Sequence, residues 1–241
     1  VADLVYKQVL QSLQQRIKTN QFPHNRLPDE RSLSTEYQVS RSSIKRALNV
    51  LAQQGVIFKK RGSGTFVNPL YLKNKSIFRY EGSNLGITNN LKIEGYEPQI
   101  KVLDFAVIAA PPEIQEELFV TSEDFVYQIR RLRLIDERAI IIETSYIPIK
   151  LAPALTRQIV TGSLFDYFAK ELHHTGTKAL MTLKVQPSVA TDQELLHLEP
   201  TEPVGIMEGI FFLDNGTPFE FSQLRIHYHY FSYNTFVDVA E

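Results

Sequence analysis

The chain of 241 residues contains no cysteine. Disulfides, thiolate nucleophiles and cysteine-bound metals are therefore excluded, and the composition fits a reducing compartment, here expected to be the cytoplasm. Long apolar runs are missing too. Stretches such as Ala139-Ile140-Ile141-Ile142 are strand-sized and interrupted by charge, so no membrane span is expected, and no opening segment has a signal-like basic start and apolar core. No nucleophile–base set, Gly-Lys-Ser phosphate loop or credible metal-ligand spacing is visible, so no catalytic residue, cofactor or metal site is assigned.

What the chain does have is length for two globular units, with 43% hydrophobic residues to build their cores. The net charge of -1 conceals an uneven distribution. Residues 1–75 hold 13 Lys and Arg against 4 Asp and Glu, about +9, which leaves 13 basic and 23 acidic residues, about -10, for 76–241. One end is suited to a polyanion and the other is not.

In the basic end, Val5, Val9, Leu13 and Ile17 recur every four residues and predict an amphipathic first helix. Leu27-Pro28-Asp29-Glu30-Arg31-Ser32-Leu33 then supplies a turn and an acidic helix start, with Arg31 free to point outward to a phosphate or base. A further helix follows Ser40, its expected cap. Ile44, Ala47, Leu48 and Leu51 form its packing side, while Arg41, Ser42, Ser43 and Lys45 remain near its exposed first turns and Arg46 turns toward the DNA backbone. Basic and hydroxyl side chains so placed can enter a major groove; the bland alternative is a solvated helix face. Two short strands, Val56-Ile57-Phe58 and Thr65-Phe66-Val67, flank Lys59-Lys60-Arg61-Gly62-Ser63-Gly64, a tight basic turn suited to phosphate or a minor groove.

Leu27 through Leu33, Val39 through Leu48, Leu51-Ala52-Gln53-Gln54-Gly55 and Arg61 through Val67 together resemble the winged helix-turn-helix domain of the GntR family of bacterial transcription regulators. The resemblance implies major-groove contact by Arg31, Arg41, Ser43 and Lys45, with the Gly62–Gly64 tip in the minor groove. The chain departs from the usual pattern at Asp29, Ser43 and Lys45; a lysine keeps phosphate contact but not the paired hydrogen bonds of arginine.

From Ile100 onward strand-like runs dominate. Phe125 through Leu134 and Ile140 through Ile147 flank the turn Asp136-Glu137-Arg138, and a comparable pair flanks Asp214-Asn215-Gly216. Helices are expected over Glu113 through Leu118 and from Ser163, which favours an antiparallel sheet with flanking helices over βαβ units. On a regular strand Arg131 and Arg133 share one side, with Arg130 opposite. Two neighbouring arginines call either for an anionic ligand or for ordinary ion pairs to Glu143 or Glu220. The alternation His227-Tyr228-His229-Tyr230-Phe231 reads as a packed or interface aromatic strand rather than a metal site, and His173-His174 as a loop or helix end.

Arg131-Leu132-Arg133, Glu143 through Pro148, Gly162 through Tyr167 and Pro218 through Ser222 resemble the effector-binding UTRA domain of the HutC subfamily, related in fold to chorismate lyase. Arg225-Ile226-His227-Tyr228-His229 departs from the phrase that members often carry there. The resemblance implies that Arg131 and Arg133 hold an anionic group and Ser163 a hydroxyl or phosphate. It assigns Glu143 and Glu220 to polar groups such as sugar hydroxyls, with Thr88 in a segment that closes over the anion.

The expected protein is α+β: an N-terminal winged helix-turn-helix (1–68), a linker (69–89) and a chorismate-lyase-like domain with an antiparallel sheet and flanking helices (90–241). Its expected partners are double-stranded operator DNA, a small anionic effector of the sugar-phosphate kind and a second copy of itself, with no membrane. The expected function is a homodimeric repressor controlled by that effector; activation is the alternative, since DNA contact alone does not fix the transcriptional outcome.

Overall fold

Apolar residues four apart place one stripe of α1 (Ala2–Lys18) against two shorter helices, α2 (Glu30–Tyr37) and α3 (Arg41–Gln53). A computed structural model describes residues 2–73, 78–79, 86–93 and 95–234. Both shorter helices begin on side-chain caps. Asp29 accepts from the Ser32 amide at 2.8 Å, and Ser40 accepts from the Ser43 amide at 3.2 Å. Val9, Leu13, Ile17, Leu33, Ile44 and Leu48 are buried together in the first core. Two antiparallel strands, β1 (Ile57–Lys60) and β2 (Gly64–Val67), close this unit with Lys60 opposite Gly64.

The chain divides into two compact units, Val1–Lys75 with Asn234–Glu241, and Ser76–Tyr233. Of the segment expected as a linker, 69–89, both ends are packed. Helix α4 (Pro69–Lys73) buries Tyr71 in the first core, and α5 (Ile87–Ile93) buries Ile87 and Leu91 in the second unit. The strands β3 (Phe78–Arg79) and β10 (Tyr233–Asn234) pair as a separate ribbon.

The second unit is built on a six-stranded antiparallel sheet. Its strands are β4 (Gln99–Ala109), β5 (Phe125–Ile135), β6 (Arg138–Pro148), β7 (Gly176–Pro187), β8 (Pro203–Leu213) and β9 (Pro218–His227). Their spatial order is β4-β5-β6-β9-β8-β7, which leaves β4 and β7 at the edges. Both expected turns are present: Asp136 and Glu137 take positive φ (48° and 63°) between β5 and β6, and Gly216 (φ 85°) turns the chain between β8 and β9.

Helices α5 and α7 (Leu164–Lys170) cover one face, packing on Ile141, Leu224 and Ile226 and on Ile129, Phe211 and Phe219 respectively. The other face carries α6 (Pro112–Leu118) over Val126 and α8 (Ala190–Leu196) over Leu132, Ile142 and Ile206. The strand expected through His227–Phe231 is a correction. β9 ends at His227, whose Nδ1 accepts from the His229 amide at 3.3 Å, and Tyr228–Tyr230 is a single 3₁₀ turn. A local side-chain bond has replaced the ladder there.

Candidate DNA interface and effector cavity

In the first unit, the cap hydroxyl of Ser40 lies 2.8 Å from that of Ser42 and 3.0 Å from that of Ser43, so three hydroxyls cluster at the start of α3. Arg41, Ser42, Lys45 and Arg46 are exposed, Ser43 is half-buried, and Arg31 is exposed on α2. Arg46 has a local role as well: its guanidinium lies over the Tyr6 ring at 3.9 Å. Lys59 bonds to Asn49 Oδ1 at 3.2 Å and sits 3.7 Å from Glu30, whereas Lys60 and Arg61 extend the exposed basic surface toward the wing tip.

The tip depends on glycine at two positions, Gly62 at φ +73° and Gly64 at φ +118°. Ser63 donates its amide to the Lys60 carbonyl at 3.0 Å, which closes the turn. Sequence reasoning missed Arg26, whose guanidinium stands 6.0 Å over the Phe66 ring and 3.3 Å from where a side chain on Gly64 would begin. A lone arginine before the Leu-Pro-Asp turn carries no periodic signal; only the bridge between Arg26 and Phe66 reveals it.

In the second unit, alternation brings inward-facing residues of five strands to one small cavity, with about 20 Å³ open to the centre of a water molecule. Thr88, Arg131, Arg133, Glu143, Ser163 and Glu220, the six residues singled out in the sequence, all line it. The two arginines share one carboxylate. Arg131 Nη2 donates to Glu143 Oε1 at 2.8 Å, and Arg133 Nε donates to Oε2 at 3.0 Å. Thus the ion-pair alternative holds for Glu143. Arg131 Nη1 also donates to the carbonyls of Val160 and Gly162, and Arg133 Nη1 donates to the Thr88 hydroxyl at 2.7 Å. Ser163 caps α7 by accepting from the Asp166 amide at 3.2 Å.

Two polar atoms in this wall have no partner: Arg131 Nε and Glu220 Oε2. Their residues are 1% and 2% exposed, so neither atom is compensated by open solvent. Burial alone would raise the Glu143 carboxyl, but the charges of Arg131 and Arg133 outweigh it and hold Glu143 below the usual carboxylate range. For Glu220, burial and then the charge of Glu143 prevail over the Ser145 hydroxyl and the arginines, and its pKa is pushed up to about 7.

Glu220 reaches the cavity by regular alternation with Ser222 and Leu224, and the register shift between Phe211 and Phe212 brings Phe219 in beside it. Consecutive residues Phe219 and Glu220 are both buried: the ring of Phe219 packs 4.6 Å from that of Phe168, while Glu220 lines the cavity. Also missed were Met181, Met207 and Phe211, which make the apolar wall. Their alternation was readable, but not which distant strand would stand opposite. Among the described residues no group of three or more metal-binding side chains could hold an ion, and no helix is long and apolar enough to cross a membrane.

A winged helix-turn-helix head and a sheet unit enclosing a charged cavity define the class of DNA-binding transcription regulators. Residues 5–67 match the bacterial regulatory proteins of the gntR family, and residues 94–232 match the UTRA domain. The chain belongs to the GntR family of bacterial transcription regulators, in its UTRA-bearing HutC branch. It is accordingly a regulatory protein. It is 30% identical over 225 residues to the HTH-type transcriptional regulator GmuR of Bacillus subtilis, covering 93% of this chain and 94% of that one. The HTH-type transcriptional repressor NagR of the same organism is 28% identical over 219 residues, 90% of this chain and 87% of NagR. The crystal structure of YydK from B. subtilis matches with a TM-score of 0.81 at 27% identity, covering 97% of this chain and 99% of that one.

Proposed function

We propose that the protein is a cytoplasmic, homodimeric repressor that binds double-stranded operator DNA through its basic head and releases it when a small anionic effector, a sugar phosphate, fills the cavity. The observation that carries this reading is the buried wall in which Arg131 Nε and Glu220 Oε2 lack partners beside a shared Arg–Glu–Arg bridge. An enclosed site with unmet donors and acceptors suits a polar ligand better than it suits an apolar core.

In this reading Arg131 and Arg133 take the anionic group with Ser163 and Thr88, while Glu143 and Glu220 meet sugar hydroxyls. On the DNA side, Arg31, Arg41, Ser43 and Lys45 work at the major groove with Ser40 and Ser42 beside them. Arg46 and Lys59–Arg61 take phosphate, and the Gly62–Gly64 tip enters the minor groove. The functional division is a reading head over 1–68, a connector over 69–89 and an effector and dimerisation domain over 90–241, whose sheet we read as chorismate-lyase-like in architecture without that enzyme's reaction. Repression is supported by the likeness to NagR, a transcriptional repressor similar along most of its length.

The test is fluorescence-anisotropy binding to the promoter of the protein's own gene neighbourhood, with sugar phosphates, free sugars and small carboxylates titrated at fixed salt. One anionic compound that lowers specific affinity supports the reading. Tight DNA binding that no compound changes sinks the effector part, and increased initiation in transcription with polymerase would replace repression by activation.

A further inference from the structure

The shared bridge leaves the cavity with a charge imbalance. Arg131 and Arg133 contribute two positive charges and Glu143 one negative charge, and among the described residues Glu220 joins no ion pair. An ionised Glu220 would cancel the remaining charge while leaving Oε2 bare in a wall that is closed to solvent. A neutral Glu220 keeps one positive charge for a ligand and turns that oxygen into a site for a donor proton.

We infer that Glu220 enters the effector complex as a neutral carboxylic acid, donating a hydrogen bond from Oε2 to an acceptor oxygen of the anion, so that the effector and a proton are bound together. This rests on the proposed effector cavity and specifies its ligand: an anion with an acceptor oxygen near the arginine pair. The proton comes from solvent whenever Glu220 is ionised in the free protein.

The titratable and charged groups facing Glu220 are Glu143 on β6 and Arg131 and Arg133 on β5. The cavity walls from β7, β8, α5 and α7 contribute no titratable side chain among the described residues, and β9 adds Ser222 and Leu224 beside Glu220. Burial, and after it the charge of Glu143, already push the Glu220 carboxyl up to about 7 against the pull of the two arginines, and a bound anion, being a further negative charge, draws it higher.

Sulfate is a suitable probe because it does not itself titrate near neutrality. Full-length protein labelled with carboxyl-¹³C glutamate is followed by infrared spectroscopy from pH 5 to 9, with Glu220→Gln identifying the band. A protonated-acid band at pH 6 that the variant lacks, with a midpoint that sulfate moves upward, is the expected result. Calorimetry in two buffers of different ionisation enthalpy should then show proton uptake with sulfate above pH 7. The wild-type affinity should fall about tenfold per pH unit well above the free-protein midpoint, while that of Glu220→Gln stays flat. Absence of the acid band at pH 6, or sulfate binding with neither proton uptake nor a midpoint shift, overturns the inference alone. An acid band with no binding heat for sulfate overturns the anion cavity, and the inference with it.

Discussion

Arg131 and Arg133 are buried beside one glutamate, and that arrangement makes the glutamate more consequential than either arginine for stability. Glu143→Ala should destabilise the second unit by about 3–5 kcal/mol, because two buried guanidiniums lose their counter-charge; urea unfolding followed by circular dichroism measures it. Arg133→Ala should abolish the effector response while operator binding by the head persists, as anisotropy with and without effector would show. The two carboxylates respond to pH in opposite senses. Glu143, held low, adds stability above its ordinary range that is lost as pH falls through its depressed pKa. Glu220, held high, is favoured when protonated, so its contribution declines as pH rises from its ordinary value of 4.5 and is fully lost past about 7. Glu220→Gln should therefore gain stability over wild type at pH 8 relative to pH 5, read from urea midpoints. On the head, Arg41→Ala should cost about 1–3 kcal/mol of specific binding, whereas Lys60→Ala should lower affinity evenly across sequences and reduce the salt slope by about 1. The arginine pair was legible because Arg131 and Arg133 alternate in a strand flanked by a clear turn, and that turn also sets Glu143 opposite Arg131. The burial of Phe219 on the cavity side was not, because simple alternation would send Phe219 and Phe221 to one side. The register shift instead buries Phe219 on the cavity side, while Phe221 packs toward Tyr146.

At the scale of elements, α3 and the wing depend on two local devices. Ser40→Ala removes the α3 cap and should lower head stability by about 0.5–2 kcal/mol in a thermal melt. Gly64→Ala should distort the wing, since the residue lies at φ +118° and its new methyl would sit 3.3 Å from Arg26 Nε; the expected readout is weaker binding to operator and random DNA alike. Helices with a four-residue apolar stripe and strands beside Asp, Asn and Gly turns were readable because their signals are local. The end of β9 was not. Alternating histidine and tyrosine suggested a strand, but the chain turns at His227 through a bond between neighbours that competes with pairing. Arg26 escaped notice for a related reason, since its partner Phe66 lies on the far strand of the wing.

At the scale of the molecule, the segregation of about +9 in residues 1–75 from about -10 in 76–241 confines attraction for DNA to one end. Operator affinity should fall linearly with the logarithm of salt concentration, with a slope of about -0.9 for each phosphate contacted. Two linked heads also match a palindrome that one head covers only by half. Sedimentation at working concentrations should accordingly find a dimer, and a monomer that retains full operator affinity would refute that assembly. The two outer strands of the large sheet bear on the same measurement. β4 and β7 run 11 and 12 residues, and among the described residues no strand pairs with their outer sides, while Val107, Leu180 and Val185 stand exposed on them. Such strands are templates for fibrous or amorphous self-pairing, restrained here by Lys101, Lys178 and Lys184, by the irregular register between Val102 and Asp104 and by Pro187 at the end of β7. Neutralising these lysines, which lie outside the proposed DNA and effector sites, should therefore give particles whose size grows with time and concentration instead of stopping at two.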